Sequence, residues 1–402
     1  MATAPMLDVR MPEPVRQPDG RTADPAPGRL SYAGVIAAAA DERGALDGRR
    51  RLSAAVAAAL SRAGFARHFV PVERGGRAGG FAELLAAVAA VGETCASTAW
   101  CAALYAAHGR LAAYLPEAGQ REVWADGPDV RIAASVVPPQ GEARPEPGGW
   151  RLTGSWTYAS GVDHAEWVLL ASRTPVEGEA GHRVFAVPRT AVTVADTWRT
   201  LGLRGTGSNS VAVDGVHVPE HRSFTLADLG RVRPGAARCH RVPYAMVAAL
   251  MFAAPALGTA RGAVRDWGVR VAGRTAADGR AARDSGAVQQ VLARSTAHIE
   301  SAQLLLEQAA HRADHAEATP LAVAANRRDA ALAVELCTAE TERLWRALGA
   351  GGLAEDDPVQ RRWRDAAAVA AHPAVSFEAA AGAYAHAVFA RGAGAGDRAE
   401  GR

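Results

Sequence analysis

The feature that most constrains this chain is a change of hydrophobic rhythm, made twice. From Tyr32 to about Leu115 apolar residues recur every three or four positions, as in the Ala-rich stretches Ser53–Ala63 and Phe81–Val91, the spacing of amphipathic helices. From about Val130 to Ser223 the rhythm shortens to β-branched runs broken by Pro and Gly: Ile132–Val137, Trp150–Thr153, Trp167–Ser172, Arg183–Val187, Val192–Asp196 and Ser210–Val218. Such runs predict antiparallel strands in a small barrel or sandwich. Gly148-Gly149 and Asp214-Gly215 stand where hairpin turns would fall. From about Tyr244 to Ala393 the helical period returns in long segments, 244–272, 285–316, 320–348, 358–371 and 374–390. Pro320, Pro358 and Pro373 suit their first turns. Long Ala-rich helices with short connections predict a bundle. Ser97-Thr98, just before the apolar run Ala99–Ala107, is a candidate helix cap.

These changes divide the chain. Residues 1–28 read as a disordered leader rich in Pro, Arg, Asp and Gly. An N-terminal helical domain (29–127), a middle β domain (128–228), a C-terminal helical bundle (229–394) and a tail (395–402) follow. The 45 Lys and Arg nearly balance the 42 Asp and Glu, for a net charge of +3. That excludes a general attraction to nucleic acid or to a membrane surface. Cys95, Cys101, Cys239 and Cys337 form no CxxC pair and read as buried free thiols of a reducing compartment. No signal peptide is visible, and apolar runs such as Val247–Ala256 are too short to span a bilayer. The expectation is a cytoplasmic protein.

Three strings carry the candidate chemistry. Trp156-Thr157-Tyr158-Ala159-Ser160-Gly161-Val162-Asp163-His164-Ala165-Glu166-Trp167 places aromatics and hydroxyls on one strand and turn. Trp156 reads either as a flat wall for a ring or as a strand aromatic packing the sheet. Asp196–Asn209, with its Gly-Leu-Arg-Gly-Thr-Gly-Ser-Asn core, suits a tight loop that approaches a ligand, and equally a plain connection. Asp357-Pro358-Val359-Gln360-Arg361-Arg362-Trp363-Arg364-Asp365 leads to His372-Pro373 at a helix end.

Together these strings, in the order helices, strands, bundle, resemble the acyl-CoA dehydrogenase fold over roughly residues 30–392. More narrowly, they resemble its flavin-dependent monooxygenase branch, the oxygenase components of two-component hydroxylases. The resemblance implies an α+β, mainly α, fold and a homotetramer built as a dimer of dimers. It implies reduced flavin (FADH2 or FMNH2) supplied by a separate NAD(P)H:flavin reductase, with O2 as cosubstrate. The reaction it implies is hydroxylation of an aromatic or polyketide-like small molecule through a flavin C4a-hydroperoxide. It places Trp156, Tyr158 and Ser160 at the flavin ring, Ser160 near N5. Arg274 falls at the flavin phosphates across a subunit boundary, and Gly351 in a glycine turn beside the dinucleotide. His372, Ser160 and His108 are the catalytic candidates; His108, Ser135 and His372 are the substrate-binding ones. An imidazole that titrates near neutrality suits either proton transfer or substrate holding. Read from the residues alone, His108 and His372 are equally a core histidine and a helix-end histidine.

The chain departs from the parent dehydrogenases at one point. A Tyr-Glu-Gly-Thr motif, whose Glu removes the α-proton of an acyl thioester in many of them, is missing after the Arg-Asp run. The next carboxylate beyond His372 is Glu378. A nitrogen- or sulfur-oxidising monooxygenase and a true acyl-CoA dehydrogenase are the alternatives. No metal site is expected: His311 and His315 are spaced four apart, but without a His-Glu-x-x-His pattern or an evident third ligand. Arg74–Gly80 reads as a connector, because no strand precedes it and no Lys-Ser/Thr follows. No GxGxxG follows a predicted strand, consistent with flavin reduced elsewhere.

Overall fold

The structure, a computed structural model, describes residues 29–42, 44–175, 181–230, 235–275 and 279–396. The leader expected over 1–28 and tail residues 397–402 lie outside the described residues. The N-terminal part comprises α1 (Ala33–Asp41), α2 (Leu46–Arg49), α3 (Ala54–Arg62), α4 (Phe81–Gly92), α5 (Ala96–Ala112) and α6 (Glu117–Val123). Ser53 caps α3, its hydroxyl accepting from the Val56 N–H at 3.1 Å. Gly80 leaves α4 without a cap of its own. Asp314, distant in sequence, supplies one by accepting from the Phe81 and Ala82 N–H groups at 2.7 and 2.9 Å. The expected Ser97-Thr98 cap is not formed: Cys95 takes the capping position, and both hydroxyl residues lie buried inside the first turn of α5.

The middle strands are β1 (Ile132–Ser135), β2 (Glu142–Glu146), β3 (Gly149–Ala159), β4 (Trp167–Arg173), β5 (His182–Pro188), β6 (Thr193–Ala195), β7 (Asn209–Pro219) and β8 (Ser223–Thr225). They run in the order β6-β7-β3-β2-β4-β5-β8. The sheet is mixed, not wholly antiparallel as expected, because β1 pairs in parallel with β4 over Ile132–Ser135. The chain leaves β1, makes the β2–β3 hairpin, and returns beside β1 in the same direction. Gly148 turns that hairpin with a φ of +80°. Asp214-Gly215 does not turn one. It lies inside β7 as a bulge opposite Thr153, where the register steps from Leu152↔Val216 to Gly154↔Val213.

After α7 (Arg238–Arg241) come α8 (Tyr244–Ala272), α9 (Gly286–His315), α10 (Pro320–Arg346), α11 (Pro358–Ala370) and α12 (Phe377–Gly396). Pro320 and Pro358 begin α10 and α11 behind Thr319 and Asp357 caps. Pro373 instead opens a short 3-10 turn, Pro373–Val375, ahead of α12. By length and composition α8 is apolar enough to cross a membrane, but it is buried as the central helix of the bundle. Residues from both helical parts, among them Leu84, Val88, Leu250, Leu257, Leu306 and Val334, form one core. The two expected helical domains are therefore packed as one body. They meet closely where a Cβ on Gly258 of α8 would come within 2.2 Å of the Ala89 carbonyl oxygen of α4.

Candidate active site at the junction of sheet and helices

The second and third sequence strings dock directly on each other. The Leu203 N–H of the loop between β6 and β7 donates to Asp365 Oδ1 of α11 at 2.7 Å. Arg364 donates to the Leu201 carbonyl at 3.0 Å. Gly202 is needed there, because any Cβ would lie 2.0 Å from the Arg364 carbonyl oxygen. Burial pushes the Asp365 carboxyl up to about 6, with the Leu203 N–H pulling the other way. Arg362 ties helices together. It bonds Asp266 at 2.6 Å and the Glu93 carbonyl at 2.7 Å, closing the C-terminus of α4.

The docked loop delivers hydroxyls to Ser160. Ser208 Oγ lies 2.7 Å from Ser160 Oγ and 2.6 Å from Thr206 Oγ1. Ser160 also accepts from Trp100 Nε1–H of α5 at 3.0 Å. The same indole ring meets His372 edge-to-face, with centroids 5.7 Å apart. His372 stacks on Phe252 of α8 at 3.8 Å. Trp100 thus joins the hydroxyl of the sheet to the imidazole of the bundle, and all three parts of the fold meet at one point. Burial beside these rings pushes the His372 pKa down to about 4. Its Nδ1 accepts from the Ala374 N–H at 3.2 Å, so the neutral ring carries its proton on Nε2.

Trp100, Leu104 and His108 follow one another at four-residue spacing on one face of α5. His108 lies roughly 12 Å beyond Trp100 along the axis. Its Nδ1–H donates to the Ile132 carbonyl of β1 at 2.7 Å, which leaves Nε2 as an acceptor. Burial lowers its pKa to about 4, partly offset by that carbonyl. Both histidines are therefore neutral at pH 7. The expected near-neutral titration is corrected, because each ring sits among apolar groups that disfavour the cation. Ser135, at the end of β1, donates to the Thr157 carbonyl at 2.7 Å, and Gln140 donates to the same oxygen at 2.9 Å. These bonds fix the strand that leads to Ser160.

On that strand the alternation of side chains breaks after Trp156, where the register with β7 shifts between Trp156 and Ala159. Trp156 turns inward and is 0% exposed, its indole N–H bonded to the Ala171 carbonyl at 2.8 Å. It packs the sheet core and offers no open face, which corrects its assignment to a flavin wall. Tyr158 turns outward, 64% exposed, with Trp198 edge-to-face at 5.5 Å. Arg274 and Gly351 are not brought to this site within one chain. Arg274 approaches the Leu348 carbonyl at 3.4 Å, and the Gly351 carbonyl accepts from Arg270 at 2.8 Å. Both lie at the far end of α8, and Arg274 is roughly 33 Å along it from Phe252. A cleft of about 850 Å³, lined by Tyr114, Leu115, Phe224 and His240 among others, includes none of the expected site residues.

Residues 250–377 match the family described as acyl-CoA dehydrogenase, C-terminal domain. The chain is 31% identical over 352 residues to the FADH(2)-dependent resorcinol hydroxylase, oxygenase component, of Rhizobium sp. (strain MTP-10005). The match covers 82% of this chain and 86% of that protein. The crystal structure of 3-HSA hydroxylase from Rhodococcus sp. RHA1 superimposes with a TM-score of 0.82 at 28% identity, covering 89% of this chain and 95% of that one. XiaF from Streptomyces sp., in complex with FADH2 and glycerol, gives 0.82 at 27% identity, covering 89% and 94%. The chain belongs to the oxygenase components of the flavin-dependent monooxygenases.

The residues present suit such an oxygenase. An exposed aromatic face at Tyr158 lies two residues from a hydroxyl with bonding capacity to spare at Ser160, which fits a planar flavin with a polar N5 edge. The acyl-CoA dehydrogenase alternative lacks support at its reactive group, since Glu378 is exposed at the start of α12. Sequence reasoning did not single out Trp100 or Phe252, and it named the Asp196–Asn209 loop without distinguishing Trp198, Thr206 and Ser208 within it. A signal existed for Trp100, which shares the helix face of His108. None existed for Phe252, one apolar residue within a long apolar helix.

Proposed function

We propose that this oxygenase hydroxylates a phenolic or polyketide-like aromatic ring in the cytosol. It takes reduced flavin, FADH2 or FMNH2, from a separate NAD(P)H:flavin reductase and works as a homotetramer. One observation carries the reading: Trp100 holds the Ser160 hydroxyl at 3.0 Å and the His372 ring at 5.7 Å, linking all three parts of the fold at one point. When bound, the flavin supplies two electrons and activates O2, so that one oxygen atom enters the ring and the other leaves as water.

The chain's own residues divide the remaining work. His108, with Nδ1–H committed to Ile132, offers Nε2 to accept the hydrogen bond of a substrate hydroxyl. That bond draws electron density into the ring carbon to be attacked. His372, with Nδ1 committed to Ala374, offers Nε2–H as a donor to the oxygen being transferred. Ser135 holds the Thr157 carbonyl in place, and Tyr158 supplies the flat surface for the flavin. The packed rings of Trp100, Phe252 and His372 keep water from the reacting atoms.

The test supplies reduced flavin and O2 with a panel of phenols and measures products heavier by one oxygen. Replacement His372→Ala is expected to lower product formation about a hundredfold, with far-UV circular dichroism and flavin binding retained. Unchanged product formation would remove His372 from the mechanism. Oxidation of amines or thioethers, with no phenol turned over, would move the assignment to heteroatom oxidation.

A further inference from the structure

The hydroxyls around Ser160 form a chain with two unlike ends. At one end stands Trp100 Nε1–H, which can only donate. At the other stands the Leu203 carbonyl, which can only accept and which takes Thr206 Oγ1 at 2.9 Å. Between them lie Ser160, Ser208 and Thr206, giving the links Trp100–Ser160, Ser160–Ser208, Ser208–Thr206 and Thr206–Leu203. Four links need four protons. The indole N–H and three hydroxyls supply that number only when every bond points the same way, from Trp100 towards Leu203. The Ser160 proton is then committed to Ser208, and the Ser160 oxygen keeps one free lone pair.

The end of the chain is itself fixed. Leu203 holds a left-handed conformation, φ +50°, without being glycine. Its N–H is held by Asp365, and its carbonyl also receives Trp198 Nε1–H at 2.9 Å. Thr206 and Ser208 are 1% and 2% exposed, so water does not compete for their protons.

We infer that Ser208 and Thr206 are positioning residues that set the polarity of the Ser160 hydroxyl, making it an acceptor towards the flavin edge. The inference rests on the flavin reading above. It has a chemical consequence, because reduced flavin carries a hydrogen on N5 whereas oxidised flavin presents a lone pair there. An acceptor at Ser160 bonds the first and repels the second. Cutting the chain at Ser208 or Thr206 releases the Ser160 proton to turn towards the ligand, which favours the oxidised form.

The experiment measures equilibrium binding of FAD and of FMN to the full chain, each oxidised in air and each reduced with dithionite under argon. The variants are Ser208→Ala, Thr206→Val and Thr206→Ser. Loss of the directed bond is expected to narrow the preference for reduced flavin about three- to tenfold in Ser208→Ala and Thr206→Val, the range for one hydrogen bond. For a two-electron couple this lowers the midpoint potential of the bound flavin by about 15–30 mV. Thr206→Ser, which restores the hydroxyl, is expected to keep the wild-type ratio. Thermal unfolding of each variant verifies that it folds, and Thr206→Val, which keeps the side-chain shape, carries the test if Ser208→Ala does not. Variants that bind flavin with a ratio within twofold of wild type overturn the inference and leave the flavin reading intact. An equal loss in Thr206→Ser overturns it too. A wild-type chain that binds neither flavin in either state overturns both.

Discussion

At the scale of single residues, the two candidate histidines each hold a backbone group by a hydrogen bond and carry no charge at neutral pH. Their folded pKa values, about 4, lie below the ordinary value of 6.5. Between those limits the unfolded chain binds more protons than the folded one. Stability contributed by the neutral rings is therefore present above about pH 6.5 and lost as pH falls towards 4. Asp365 has the opposite sign: its carboxyl, raised from 3.8 to about 6, contributes stability that is lost as pH rises through that window. Comparing variants with wild type separates the two. Denaturant unfolding at a series of pH values is expected to show a shallower loss between pH 6.5 and 4 for His108→Gln, and a steeper one for Asp365→Asn. Equal slopes in all three proteins would mean that burial does not shift these groups. The sequence names His108 and His372 as candidates, but their charge states were not legible in it, because burial and partner atoms come from α5, β1 and α8 together.

At the scale of elements, legibility followed how local each signal was. The bounds of α8 and the starts of α10 and α11 came through because apolar period, Pro and capping side chains lie within a few residues of each boundary. The parallel pairing of β1, the cap that Asp314 gives α4, and the Asp214-Gly215 bulge did not, because each is decided by a partner far along the chain. The α4–α8 contact is of the same non-local kind and allows a quantitative test. Replacing Gly258 by Ala removes a helix penalty of about 1 kcal/mol. The new Cβ would lie 2.2 Å from the Ala89 carbonyl oxygen and 2.7 Å from Gly92 Cα, both backbone atoms that cannot swing aside. Overpacking of this kind costs about 1–3 kcal/mol, and the close backbone contact places it at the upper end. Gly258→Ala is expected to lose about 2 kcal/mol net in urea unfolding. A stabilised variant would mean that the two helices can separate at no cost.

At the scale of the whole molecule, the positions of Arg274 and Gly351 carry the argument for assembly. Each lies at the end of α8 remote from His372, and the helix between them and Phe252 is continuous over Tyr244–Ala272. No local rearrangement brings Arg274 to the Ser160 edge of its own chain. If Arg274 holds the flavin phosphates, as the sequence resemblance implies, it does so in a neighbour's site, and each site is built from two chains. Symmetry then gives a distinctive result when two inactive variants are mixed. Arg274→Ala and His372→Ala are each expected to be inactive alone at limiting flavin. In a mixed pair, one site receives both lesions and the other receives neither. After dissociation and reassociation of equal amounts, about a quarter of the sites are expected to be intact, and hydroxylation should recover to about that fraction of wild type. Recovery requires subunit exchange, which a shift of differently tagged chains on native gels follows independently. Exchange without recovery would place Arg274 outside the flavin site and leave the site within one chain.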